Sequence, residues 1–188
     1  MIYLRRFSHF WQTQANPKNL FLAFGAQLIL GVFILPKAYA MLDVSGTLPA
    51  LEFRFGFKSD WVVNYLETIG SKGRGIYLII NLLIDSIYAI IYSISFSLIL
   101  SYFLKLSFSQ NHYFRLFNLF PFVVGIFDLI ENLGISALII SFPQIDTSIV
   151  ALASLASLAK WGAILYNIIM LFIALFAWVF SRIRLFRR

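Results

Sequence analysis

Asp85, Asp128, Glu131 and Lys160 are ionisable residues embedded in stretches apolar enough to cross a bilayer. A charge at the centre of such a stretch costs on the order of 3 kcal/mol on insertion scales, so each placement calls for a partner or a task. Three carboxyl groups beside one amine cannot all ionise in surroundings of low dielectric constant, and at least one is expected to be protonated at neutral pH. A proton donor and a proton acceptor then coexist, which is the arrangement general acid–base chemistry needs. In this scheme Asp128 and Glu131 are acid and base, Asp85 is the third carboxylate and Lys160 the counter-ion. The bland alternative is an ionic joint that specifies helix packing and carries no activity.

Spacing supports a shared polar centre. Asn81, Asp85, Tyr88, Tyr92 and Ser95 recur at steps of four, three, four and three, which places them along one face of a helix. Asp128, Glu131 and Asn132 share a helical patch, and Ser157, Lys160 and Asn167 form a third seam with Trp161 beside the lysine. If the helices run antiparallel, Asp85, Glu131 and Lys160 each lie about 14 Å from one membrane face and Asp128 about 4.5 Å further in. Asn81, Tyr88, Tyr92, Asn132, Trp161 and Asn167 are therefore expected to contact a substrate. Arg74 is expected to meet a lipid headgroup or an acidic substrate group entering from outside.

The elements that position these residues follow from composition. With 61% hydrophobic and 12% charged residues, a chain of 188 residues belongs in a membrane. Apolar runs suggest spans at about 20–40, 76–104, 117–140 and 149–180, giving an all-α, four-helix transmembrane bundle in one domain. Arg5, Arg6 and Lys18 precede the first span, Lys105 and Arg115 lie between the second and third, and Arg182, Arg184, Arg187 and Arg188 follow the fourth. The positive-inside rule then puts both termini in the cytoplasm. The net charge of +7 reports topology and contact with anionic lipid, and no nucleic acid partner is expected. Absence of cysteine excludes thiolate and disulfide chemistry.

Two amphipathic segments flank the first span. Tyr3, Leu4, Phe7, Phe10 and Trp11 fall at helical spacing, which suits either an N-terminal interfacial helix or an aromatic, basic flank. A rival interpretation treats the first span as a secretory signal cleaved after Ala38-Tyr39-Ala40. Between spans one and two, Trp61, Val62, Tyr65, Leu66 and Ile69 make an apolar stripe, started by Ser59 or Asp60 and ended by Gly70; this extramembrane helix is either a lid or a connector lying on lipid. Gly70 to Gly75 reads as a flexible basic hinge. His9 and His112 lie in flanking segments as surface residues, and neither a metal nor a cofactor is expected. Serines 86, 93, 95, 97 and 101 are expected to bond back to their own helix. Gln27 is expected to make a helix contact, and Gly25 and Gly31 to let neighbours approach.

Taken together, Gly70-x-x-Gly73-Arg74-x-x-Tyr77, Asp85-x-x-Tyr88, Phe127-Asp128-x-x-Glu131-Asn132 and Lys160-Trp161 resemble a family of small four-span bacterial membrane proteins of uncharacterised activity. The resemblance covers spans two to four and implies the four-helix architecture, but it brings no activity, cofactor or substrate. The expectation is a bacterial inner-membrane protein that binds a lipophilic small molecule or lipid in a midplane cavity, with acid–base chemistry. The alternatives are a proton- or ion-coupled carrier working as a homo-oligomer, and an accessory subunit docked on a partner membrane protein.

Overall fold

Six helices and one short 3-10 turn make up nearly all of the computed structural model, which describes residues 2–42, 48–110 and 112–186. Arg187 and Arg188, counted above toward the charge bias, lie outside these residues. The helices are α1 (Ile2–Gln14), α2 (Pro17–Ala40), α3 (Ser59–Thr68), α4 (Gly70–Ser107), α5 (Tyr113–Ser141) and α6 (Thr147–Phe186). No strand occurs among the described residues. α2, α4, α5 and α6 are each long and apolar enough to cross a membrane, so the chain is a multi-pass, four-span helical protein as its composition requires.

Local chemistry explains the helix ends and the irregular turns. Asn16 caps α2 by accepting the Asn19 N–H at 3.0 Å, and Pro17 follows where no backbone donor is needed. Pro36 then falls inside α2, where its missing N–H interrupts the ladder, and the preceding turn, Ile29–Ile34, widens into a π-helix. A second π segment, Ile80–Asp85, interrupts α4. Its freed polar groups are recaptured locally: Ser86 Oγ donates to Asn81 O at 2.8 Å, and Asn81 Nδ2 donates to Tyr77 O at 3.2 Å. Of the other serines, Ser93 bonds back to Ala89 O, whereas Ser101 accepts from Asn118 Nδ2 at 2.8 Å.

Two expectations about the connection between spans one and two are corrected. Gly70 to Gly75 is not a hinge. Gly70, at φ +64°, turns the chain sharply out of α3, and α4 begins at that residue, six positions earlier than hydropathy suggested. Nor does α3 lie on the lipid surface, because Val62, Tyr65 and Leu66 are buried against Tyr77, Ile80, Ile135 and Leu138 at one end of the bundle. Its cap position is held by Lys58, with no side-chain cap from Ser59 or Asp60.

At the opposite end, which holds both terminal segments, α1 is a helix with its usual polarity reversed. Ser8 and Gln12 are its buried residues, and Ser8 Oγ donates to Asn118 Oδ1 at 2.8 Å, while Tyr3, Leu4, Phe7 and Phe10 face outward. A helix that docks by its polar face and exposes aromatic residues suits an apolar surrounding rather than water.

Small residues let the spans approach closely. A Cβ on Gly31 would stand 2.9 Å from Tyr88 Oη, whereas one on Gly25 would meet nothing within 4 Å, so only the first of the two glycines admits a neighbour. Along the α5–α6 seam, a Cβ on Gly134 would come within 2.7 Å of Ala153 Cβ. Gly134→Ala is therefore expected to destabilise the bundle by about 1–3 kcal/mol through overpacking, even though alanine is the better helix former. Thermal unfolding of the purified variant checks this, and an unchanged or raised melting temperature would contradict the packing.

Candidate functional site

Lys160 organises the centre of the molecule. Its ammonium donates to Asp128 Oδ1 at 3.2 Å and to the main-chain oxygen of Glu52 at 3.3 Å, and it forms an ion pair with Glu131 Oε2. Two hydrogen bonds and two buried carboxylates thus surround the amine. The lysine and both carboxylates are buried. Tyr92 Oη donates to the second oxygen of Asp128 at 3.0 Å, so that carboxylate is held from both sides. These contacts join α4, α5 and α6 at one level.

Beside this network lies a cavity of about 330 Å³. Its polar wall includes Asp85, Tyr88 and Tyr92 from α4, Asp128 from α5, and Lys160, Trp161 and Asn167 from α6. Seven of the eleven residues expected at the site therefore share one chamber. Leu35, Phe96, Val124, Ile164 and Ile168 supply apolar wall, and Phe53 and Ile168 are also exposed on the outer surface, which marks a mouth on the bundle's flank. That mouth lies between α2 and α6: both line the cavity, yet α2 packs chiefly on α4.

The other four residues lie elsewhere. Glu131 is fully buried behind Lys160, and Asn132 is also fully buried; neither reaches the cavity wall. Asn81 is turned away because it belongs to the π segment, whose wider turn breaks the regular steps that put it on the face of Asp85. Arg74 donates to Leu66 O at 2.8 Å and sits 4.4 Å over the Phe142 ring, so it ties α3 to α4 and does not border the cavity.

Sequence reasoning missed Glu52, which lies in the connection between spans one and two, outside every apolar run. The segment from Ala50 to Phe57 instead enters the bundle and is clasped along one face of α6. Ser154 Oγ accepts the Phe57 N–H at 2.9 Å, Ser157 Oγ donates to Arg54 O at 2.8 Å, and Lys160 takes Glu52 O. Non-helical backbone at such depth is tolerated only when its polar groups are paired inside the protein, and side chains here hold the Leu51 and Phe57 N–H groups and the Glu52 and Arg54 carbonyls. Tyr77 completes the clasp: its hydroxyl accepts the Leu51 N–H at 3.2 Å and donates to Glu52 Oε2 at 2.6 Å. Burial pushes the Glu52 carboxyl above its ordinary value, against the hydrogen bonds and the Lys160 charge that pull it down. The signal in the sequence was the Ser154, Ser157, Lys160 series at steps of three, a polar ladder longer than one ion pair needs.

Several polar atoms on this wall have no protein partner among the described residues. They are Gln27 Oε1, Trp161 Nε1 and Asn167 Oδ1, all buried and all on residues lining the cavity. Each orphaned buried group costs about 1–3 kcal/mol unless something binds it. Gln27, expected as a helix contact, is buried and also lines the chamber. Among the described residues no three His, Asp or Glu side chains gather in a group able to hold a metal ion.

No family model, no curated protein and no solved structure matches the chain. What the chamber can do follows from its own geometry: two carboxyl-bearing residues without a salt bridge, Glu52 and Asp85, face a partly apolar space beside a fixed ion pair.

Proposed function

We propose that this protein binds a lipophilic small molecule or lipid carrying a polar group in the central cavity, and that it transforms that molecule by acid–base chemistry. The observation that carries the proposal is the set of unpartnered polar atoms lining a buried, mostly apolar chamber. Such a lining suits a ligand with an apolar body and a few hydrogen-bonding groups. A flank mouth rimmed by Phe53 and Ile168 favours entry from the bilayer rather than from water.

Glu52 is the acid in this proposal, because burial raises its affinity for protons above that of an ordinary carboxyl group. Asp85 is the complementary carboxyl group across the chamber. Asp128, held between Lys160 and Tyr92, orients Tyr92, while Glu131, walled off from the ligand, pairs with the lysine from behind. The basic end is proposed to face the cytoplasm of a bacterium, since cytoplasmic flanks gather Lys and Arg.

The test is native mass spectrometry with extraction and identification of small molecules retained by the purified protein. Wild-type protein is expected to carry a lipophilic molecule, and Ile164→Trp, which fills the chamber, is expected to lose it while keeping its melting temperature. Recovery of bare wild-type protein from gentle detergent, or equal retention by the tryptophan variant, would defeat the proposal.

A further inference from the structure

A second cavity, of about 280 Å³, opens at the basic end between α1 and the turn joining α4 to α5. It is independent of the central chamber. Arg5, Arg6 and His9 line it from α1, and His112 and Arg115 from the other side; no acidic residue is among the described residues of its wall. The imbalance extends well beyond the cavity, for no Asp or Glu occurs in residues 1–42 or 86–127.

Arg115 makes the site more than a surface patch. Its guanidinium is fixed by bonds to Gln12 Oε1 at 3.0 Å, Lys105 O at 2.9 Å and Phe108 O at 2.6 Å. Every one of these acceptors is neutral, so they hold the group in place without cancelling its charge. His112 is set in a similar way. Its Nδ1 accepts the Phe114 N–H at 3.2 Å, which puts the ring proton on Nε2 as a donor. Fixed positive charge in a concave site repels itself and is relieved by an anion.

We propose that this cavity binds the phosphate of an anionic phospholipid headgroup. The outer face of α1 argues for a lipid rather than a free phosphoanion, since Tyr3, Leu4, Phe7 and Phe10 are exposed beside the cavity and offer a surface to acyl chains. Basic pockets at the cytoplasmic ends of membrane helices recognise headgroups by this chemistry.

The experiment is native mass spectrometry of the full chain released from vesicles holding equal phosphatidylcholine and phosphatidylglycerol with matched acyl chains. Wild-type protein is expected to retain phosphatidylglycerol preferentially. In Arg5→Gln/Arg6→Gln, both exposed positions, that preference falls by about 30-fold. Arg5→Lys/Arg6→Lys keeps the charge and is expected to keep most of the preference. Equal retention of the two lipids by wild-type protein, or an undiminished preference in the glutamine variant, would overturn the proposal. So would loss of preference in the lysine variant, which would trace the effect to folding. A parallel arm adds excess inorganic phosphate. Retained phosphatidylglycerol supports the lipid, whereas complete displacement would identify a free phosphoanion as the ligand and overturn the lipid assignment.

Discussion

Lys160→Met is expected to destabilise the protein by about 3–5 kcal/mol, the largest stability loss of any single substitution in the bundle. The amine is the only cation in contact with Asp128 and Glu131 among the described residues, and both carboxylates are buried. Removing it leaves two anions in low dielectric with no counter-charge, and also frees the Glu52 carbonyl that anchors the re-entrant segment. Neutralising the acids at the same time, in Asp128→Asn/Glu131→Gln/Lys160→Met, should restore most of the loss, because a buried ion-pair cluster replaced as a whole is often nearly neutral for stability. Thermal or denaturant unfolding in a single detergent measures all three states. A lysine variant as stable as wild type would show that the network does not hold the bundle. A triple variant no better than the single one would show that the geometry of the lysine, not its charge, matters.

The second large effect concerns Glu52 and is expected in chemistry rather than stability. Glu52→Gln keeps the size of the side chain and can still accept the hydrogen bond from Tyr77, but it has no acidic proton to give. With the molecule recovered from the central chamber as substrate, turnover should fall by about 100- to 10,000-fold while retention of that molecule changes little. pH provides an independent check. A carboxyl group held above its ordinary value of 4.5 by burial binds its proton more tightly in the folded than in the unfolded chain. Folded stability attributable to Glu52 is thus greatest below that value and declines as pH rises through the raised folded value. The glutamine variant should lose this component of the slope and gain on wild type as pH increases. Parallel pH–stability curves for the two proteins would remove the basis for Glu52 as the acid.

Legibility in the sequence was uneven for physical reasons. Runs of about 20 apolar residues have one stable form in lipid, since only a helix pairs its own backbone there, so the four spans could be read directly. Their ends could not be read as well. α4 begins at Gly70 because a positive φ turns the chain into a helix that starts outside the apolar run, a decision hydropathy does not record. Regular helical steps correctly gathered Asp85, Tyr88, Tyr92, Asp128 and Lys160, but they misplaced Asn81, where a π turn changes the period.

The chain's residue types alone determined that a lysine and several carboxyl groups would be buried together, because charged side chains in apolar helices have nowhere to go but toward one another. Tertiary structure alone decided which of them face a ligand. Glu131 went behind the lysine, and Glu52 came in from a connection that local pattern assigns to the exterior. A non-helical segment enters a bundle only when distant side chains satisfy its backbone, and Tyr77, Ser154, Ser157 and Lys160 meet that condition only once three separate stretches of chain have been brought together.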